Sequence, residues 1–247
     1  MMRTAIHNLF PSARNTEDED GIFGSRGSMP MASDSCSGCG KCVGNCPTRA
    51  ISIDDGSWKV DLGRCIFCMD CAMVCPNSTI DEVPSPDYAL RREDLVIGRD
   101  HDIDGIEGTL DKDTCRRFGR SLAIRELDTG SCNICESELN CMSNQFYDCH
   151  RFGIKYVASP RHADALIVTG PMTRNMLEAS VRTEAAMPGP SLIIASGTCA
   201  ISGGVFVGGD VVDGSVSSVL EPDIYIIGCP PSPDRVIRSL MKALGRH

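Results

Sequence analysis

A small α+β module followed by an α/β domain on a mainly parallel sheet is the fold class this 247-residue chain predicts. Three observations carry that prediction. Eight cysteines form two copies of one spacing, Cys36-x-x-Cys39-x-x-Cys42-x-x-x-Cys46-Pro47 and Cys65-x-x-Cys68-x-x-Cys71-x-x-x-Cys75-Pro76. Near Gly119 the composition changes from a polar, acidic stretch to apolar runs separated by glycine-rich turns. Beyond that point strand-like runs alternate with segments of helical period, the pattern of helices covering a parallel sheet.

Four zones follow. Residues 1–32 read as an irregular N-terminal arm, with an acidic run from Glu17 to Asp20 and Gly/Ser/Pro punctuation from Gly21 to Pro30. Residues 33–82 hold the cysteine repeat. Residues 83–118 read as an acidic linker: from Asp81 to Asp113 there are eleven acidic residues against four basic. Residues 119–247 form the α/β domain. The formal net charge of -9 argues against a nucleic-acid partner. No stretch reaches the roughly 18 to 20 apolar residues of a membrane-spanning helix, so the chain is expected to be soluble or peripheral. Met1 to Phe10 lacks the apolar run of a signal peptide. Fifteen cysteines without an export signal suit a reducing cytoplasm.

Each copy of the repeat supplies three thiolates able to clasp one face of an iron–sulfur cube, and a fourth a little further on. In two-cluster ferredoxins that fourth cysteine ligates the other cluster. Cys36, Cys39, Cys42 and Cys75 are therefore expected to hold one [4Fe–4S] cluster, and Cys65, Cys68, Cys71 and Cys46 a second. The result is a ferredoxin-like two-cluster module. Its copies are offset by one constant interval, from Cys36 to Cys65 and from Cys46 to Cys75. Each is followed by a short apolar element, Ala50-Ile51-Ser52-Ile53 and Thr79-Ile80. So small a module replaces much of its core with metal, coupling folding to cluster binding. Trp58 and Val60, between the copies, read as packing. Structural zinc uses four ligands, usually as two separated pairs, and needs neither the third cysteine nor the Cys-Pro ending. A disulfide framework belongs to small secreted chains.

In the second domain, Leu122 to Leu127, Ala165 to Thr169, Leu192 to Ala195 and Ile224 to Ile227 read as strands. Met172 to Ala186 has helical period. Ser232-Pro233-Asp234 opens a final helix whose apolar face is Val236, Ile237, Leu240, Met241 and Leu244. This describes a flavodoxin-like sheet. Cys132 and Cys135 follow the first strand, Cys199 the third and Cys229 the fourth, each near a glycine. Ligands of open α/β sheets bind at the carboxyl ends of the strands, so these four thiols are expected to converge on a third cluster. The remaining Cys115, Cys141 and Cys149 read as core thiols.

From about Phe118 to Leu244 the chain resembles the small subunit of membrane-associated [NiFe] hydrogenases of the formate-hydrogenlyase and energy-converting kind. This family includes the homologous small subunit of respiratory NADH:quinone oxidoreductase. The residues that carry the resemblance are Gly119-Arg120-Ser121-Leu122, Gly130-Ser131-Cys132-Asn133-Ile134-Cys135-Glu136-Ser137-Glu138, Tyr147-Asp148, Arg151-Phe152-Gly153-Ile154, Ala158-Ser159-Pro160-Arg161-His162-Ala163-Asp164, Thr169-Gly170, Gly197-Thr198-Cys199-Ala200 and Gly228-Cys229-Pro230-Pro231. The N-terminal half looks like the ferredoxin subunit that accompanies such proteins, so the chain resembles a fusion of two partners. The spacing Cys132-x-x-Cys135 favours the hydrogenase branch, because the quinone-reducing branch carries adjacent cysteines there. Ile134 departs from the glycine of many hydrogenase members.

The resemblance implies that Cys132, Cys135, Cys199 and Cys229 hold the proximal [4Fe–4S] cluster, three clusters in all. It implies that no catalytic site lies in this chain and that the partner is a [NiFe] hydrogenase-type large subunit. Membrane-arm subunits and a soluble redox donor or acceptor complete the assembly, which would sit peripherally on the cytoplasmic face of the membrane. Glu138 matches a glutamate at the large-subunit interface, either on a proton route or as a capping or ion-pair carboxylate. Arg161 and His162 are candidates for partner contact, and His162 is not expected to bind metal. Gly203 to Gly209 and Pro171 to Met176 are candidate interface segments. The alternatives are a quinone-linked electron-transfer subunit without hydrogenase activity and a zinc-stabilised assembly scaffold.

Overall fold

The computed structural model describes residues 27–99 and 105–246. The reading of an irregular arm therefore lies outside the described residues up to position 26. Residues 28–32 form a strand, β1 (Ser28–Ala32). The cysteine-rich module continues with α1 (Lys41–Asn45), β2 (Ile51–Asp54), β3 (Ser57–Asp61), α2 (Asp70–Met73) and β4 (Ile80–Pro84). β1 runs antiparallel to β4, and β2 and β3 form a hairpin. Asp55 and Gly56 close that hairpin with φ of 49° and 77°, the mirror-image turn that matches strand twist.

The two cysteine loops share one backbone. Left-handed residues occur at Gly38, Gly40 and Arg49 in the first and at Phe67, Met69 and Ser78 in the second. Each pair is separated by the same interval as the thiols. The first loop uses glycine where the conformation costs least, whereas the second holds Phe67 and Met69 there.

The acidic stretch from residue 83 to 118 is built into both halves. β5 (Tyr88–Ala89) pairs antiparallel with the last strand of the large sheet. β6 (Val96–Gly98) joins the module's hairpin as a third strand beside β3. α3 (Lys112–Phe118) follows, capped by Asp111, whose carboxylate accepts the Asp113 and Thr114 amides at 2.9 and 3.1 Å.

The α/β domain comprises β7 (Leu122–Asp128), α4 (Ile134–Cys141), β8 (Ile154–Tyr156), β9 (Ala165–Thr169), β10 (Met172–Thr173), α5 (Leu177–Ala185), β11 (Leu192–Ser196), α6 (Thr198–Ser202), β12 (Val212–Gly214), β13 (Ile224–Ile226) and α7 (Pro233–Ala243). The six-stranded sheet has the order β5-β13-β11-β9-β7-β8, and every pairing except β5 with β13 is parallel. Its five parallel strands follow the doubly wound order 2-1-3-4-5 of flavodoxin-like domains. The helix expected from Met172 starts at Leu177, because Met172 and Thr173 pair with β12 instead. Ser232 precedes Pro233 at the start of α7, as its sequence predicts, but its hydroxyl makes no capping bond.

Strand alternation divides the core. Ala165, Ile167, Leu192, Ile194, Ile224 and Ile226 face α7 through Val236, Ile237 and Leu240. Leu166, Val168, Ile193, Ala195, Tyr225 and Ile227 belong to the core that also contains Met29, Trp58, Val60 and Leu62 of the module. One apolar core thus serves the module and one face of the sheet.

The charged counterpart of this union is Asp87, whose side chain is 0% exposed. Arg238 donates to both of its oxygens, Nε to Oδ2 at 2.5 Å and Nη2 to Oδ1 at 2.8 Å. Arg235 Nε lies at 3.4 Å and Lys242 Nζ at 3.6 Å. Burial pushes the Asp87 carboxyl up, but the Arg238 hydrogen bonds and the surrounding cations outweigh it and hold the pKa below the usual carboxylate value. The stabilisation is accordingly present above about pH 4 and is lost as pH falls through the depressed folded value. Asp87→Ala leaves three cations facing a void, and breaking a buried pair from one side costs about 3–5 kcal/mol. The chain should unfold at markedly lower denaturant, followed by Trp58 fluorescence. A loss within a few tenths of a kcal/mol would show that the cations find other partners.

Candidate iron–sulfur sites

The ferredoxin-type thiols surround two cavities of nearly equal size. Cys36, Cys39, Cys42 and Cys75 line one of about 310 Å3 of empty space, with Gly40, Pro76 and Thr79. Cys46, Cys65, Cys68 and Cys71 line the other, of about 320 Å3, with Pro47, Thr48 and Met69. Each cavity draws three cysteines from one copy of the repeat and the fourth from the other. Among the described residues no group of three or more His, Cys, Asp or Glu is arranged to hold a single metal ion. The four thiols of each set stand around a common space, a donor set and shape that suit a polynuclear iron–sulfur cube.

Backbone amides and hydroxyls point at the sulfurs. Ala50 N–H donates to Cys46 Sγ at 3.3 Å and Thr79 N–H to Cys75 Sγ at 3.4 Å, four residues after each fourth cysteine. Phe67 N–H donates to Cys65 Sγ at 3.4 Å, and Thr79 Oγ1 lies 3.3 Å from Cys75 Sγ. Donors to the Cys75 sulfur, the Thr79 hydroxyl first, hold that thiol below its ordinary pKa. Burial pushes Cys65 up to about 12 and Cys71 up to about 11. Those thiols stay protonated in the empty chain, and loading a cluster must release their protons. Donor set, shape and local hydrogen bonding all fit an iron–sulfur group.

The third set forms at the carboxyl ends of the parallel strands. Cys132 and Cys135 lie on the loop after β7 and at the start of α4, Cys199 at the start of α6, and Cys229 after β13. Burial raises the thiol pKa of Cys135, of Cys199 to about 11, and of Cys229, and neighbouring thiols of the same set add to each shift. Two glycines make room for them. A Cβ on Gly197 (φ +89°) would stand 2.9 Å from Cys135 Sγ, and one on Gly204 (φ +56°) 2.7 Å from Cys199 Sγ.

The second and third sets adjoin. Thr198 Oγ1 donates to the Cys65 carbonyl at 2.8 Å inside the protein, and a Cβ on Gly63 would meet Ile201 Cγ2 at 2.7 Å. Phe67 and Met69, the strained residues of the second cysteine loop, share a cleft with Gly228, Cys229 and Pro230. A wide, open groove lies elsewhere, at the amino ends of β7 and β8. It holds none of the twelve cysteines, and its basic lining has structural work. Arg246 donates to the Phe152 and Phe118 carbonyls, and Arg238 and Lys242 engage Asp87 and Glu107.

Comparison with known proteins follows this division. Residues 132–243 match the family "NADH ubiquinone oxidoreductase, 20 Kd subunit", and residues 35–79 match "4Fe-4S dicluster domain". A probable membrane-bound hydrogenase subunit of Pyrococcus furiosus is 37% identical over 130 residues, 53% of this chain and 78% of that protein. The chain belongs to the first of these two families. Formate hydrogenlyase subunit 7 of Escherichia coli is 39% identical over 130 residues, and the match spans about half of that protein, 51%, and 53% of this chain. An NADH-quinone oxidoreductase subunit of Geobacter sp. is 42% identical over 108 residues, 44% of this chain and 63% of that one.

Within this oxidoreductase-family domain some expectations change. Cys149 is buried, but Cys141 is exposed and takes no part in a core. It lies off the face of α4 that buries Glu136 and Leu139. Cys115 is half-buried, its thiol directed at the Leu110 carbonyl at 3.3 Å. Glu138 is half-buried and forms no hydrogen bond or ion pair with a described residue. The unforeseen carboxylate is Glu136, buried beside Cys135 with both oxygens lacking a hydrogen-bond partner. Only its helical register relative to Leu139 could have signalled it. Pro171 and Met172 are buried, whereas Arg161 and His162 are exposed. Gly204→Ala should abolish the EPR signal of the third site while leaving the two ferredoxin-type signals intact. Three undiminished signals would mean that Cys199 does not need the space Gly204 leaves.

Proposed function

We propose that this chain is the electron-transfer subunit of a multisubunit oxidoreductase of the [NiFe] hydrogenase type, built to hold three [4Fe–4S] clusters. Cys36, Cys39, Cys42 and Cys75 would hold the outer one, Cys46, Cys65, Cys68 and Cys71 the middle one, and Cys132, Cys135, Cys199 and Cys229 the inner one. When bound, such clusters supply one-electron carriers. The chain's own residues fix where they sit, how dry they are and which donors face their sulfurs.

The single observation that carries this reading is the Thr198 hydrogen bond to the Cys65 carbonyl. It joins the loop that carries Cys65 to the helix that carries Cys199 through a buried contact, which supports the Cys65 set as the middle station and the Cys36 set as the outer one. Two separate electron carriers joined by a flexible linker would have no use for such a contact. The shared core and the insertion of β5 and β6 into two different sheets hold the same arrangement.

The catalytic site belongs to a partner large subunit. Around the inner set Ile134, Val205, Val207 and Val211 are at least half exposed. This apolar rim, which includes part of the Gly203 to Gly209 segment, is the surface for that partner. No described helix is long and apolar enough to cross a membrane, so attachment would pass through membrane-arm subunits, in keeping with the membrane-bound hydrogenase named among the relatives. The similarity to an NADH-quinone oxidoreductase subunit supports a second reading, electron delivery to quinone through a partner without nickel. The Cys132-x-x-Cys135 spacing favours the hydrogenase reading, and nickel analysis of the co-purifying large subunit separates the two.

Anaerobic purification should yield about twelve irons per chain, three clusters of four, with matching sulfide. Cys199→Ala should remove about four irons and the third EPR signal alone. A wild-type chain that reconstitutes to only about eight irons contradicts the inner site.

A further inference from the structure

The groove at the amino ends of β7 and β8 lies at the opposite end of the sheet from Cys132, Cys135, Cys199 and Cys229, and it serves none of the thiol sets. Half of its fourteen lining residues are Arg, Lys or His, and none is Asp or Glu. In a chain of net charge -9, so one-sided a lining is a feature to explain. A cleft lined by one sign of charge focuses its field and attracts the opposite charge.

Part of the lining is neutralised from beneath. Lys242 donates to Glu107 at 2.7 Å, and Arg238 holds Asp87. Other cations keep their charge for the groove. Arg120 is exposed, and its side chain makes no hydrogen bond or ion pair among the described residues. Arg116 pairs with Asp113 where both side chains are at least 80% exposed, a contact of little strength. Arg151 lies over the Phe152 ring and 3.7 Å from Asp148, beyond hydrogen-bonding reach.

The fold gathers these cations on one opening. Arg246 Nη1 donates to the Phe152 carbonyl at 2.6 Å and Nη2 to that of Phe118, tying the loop before β8 to the loop before β7. Gly153 (φ +68°) closes the same junction, because a Cβ there would stand 2.2 Å from the Arg120 carbonyl. Both acceptors of Arg246 are neutral, and its buried Nε has no hydrogen-bond partner. Burial pushes the Arg246 pKa down, and no carboxylate offsets it.

Guanidinium groups present planar forks that match carboxylates in pairs. The lining is recessed, which keeps a flat bilayer from reaching all of it. It is also open, and Phe152 and Met241 add apolar surface. An extended chain with both carboxylates and apolar side chains therefore suits it better than a small anion. We infer that this groove anchors an acidic segment of a partner protein chain, at the end of the α/β domain opposite the inner thiols. The anchor does not depend on which clusters the thiols hold.

The test uses the anaerobically purified full chain and the fluorescein-labelled peptide Glu-Glu-Leu-Glu-Glu-Leu-Glu-Glu, followed by anisotropy at low salt. The peptide should bind, and its all-glutamine counterpart should not. Arg120→Gln combined with Arg151→Gln should weaken binding about tenfold. Arg174→Gln combined with Arg182→Gln removes the same charge from exposed positions outside the groove and should leave the affinity unchanged. If the first double variant unfolds, Arg116→Gln with Arg120→Gln replaces it with the same expected loss. No binding by the wild-type chain, or an equal loss in the variant outside the groove, overturns the inference. Binding that appears only when the run from Glu17 to Asp20 is neutralised would make the occupant this chain's own arm and overturns it too. Phosphatidylglycerol vesicles held through Arg120 and Arg151, with no binding of the peptide, would make the face a lipid contact instead.

Discussion

A single buried hydrogen bond, from the Thr198 hydroxyl to the Cys65 carbonyl, sets the relation between the two halves of this chain. As a stabilising contact it is ordinary, about 1 kcal/mol net. Its importance is geometric. One end is next to Cys199 and the other belongs to Cys65 of the module, so a rotation of one half against the other breaks it. Everything else at the junction keeps that bond in register: Ile201 packed on Gly63, the continuous core under the sheet, and Asp87 clamped by α7.

The same junction explains why the two cysteine loops differ where their backbones agree. Gly38 and Gly40 occupy left-handed positions at no steric cost, whereas Phe67 and Met69 occupy the matching positions with side chains. A left-handed non-glycine residue costs roughly 1–2 kcal/mol. Phe67 and Met69 line the cleft that also holds Cys229, so this strain falls in the loop that faces the α/β domain. The outer loop has no such neighbour and keeps its glycines.

Much of this is legible in the sequence because the signals are local. Cysteine spacing alone predicts which four thiols share a cavity, including the exchange of Cys46 and Cys75 between copies. Apolar runs mark β7, β9, β11 and β13, and the loops that follow them carry Cys132, Cys135, Cys199 and Cys229. Other features are not legible, for physical reasons. β5 is two residues long and β6 three, too short to show a period, so an acidic stretch that serves both sheets looks like a linker. Glu136 is hidden because burial on a short helix depends on what covers it.

If the three thiol sets form one ordered line with the Cys65 set in the middle, magnetic coupling in the fully reduced holoprotein reports that order most directly. The EPR signal of the inner cluster should be split by its neighbour. Cys68→Ala, which removes the middle cluster, should collapse that splitting, while Cys39→Ala, which removes the outer one, should leave it. Splitting that survives Cys68→Ala and disappears in Cys39→Ala would contradict the order.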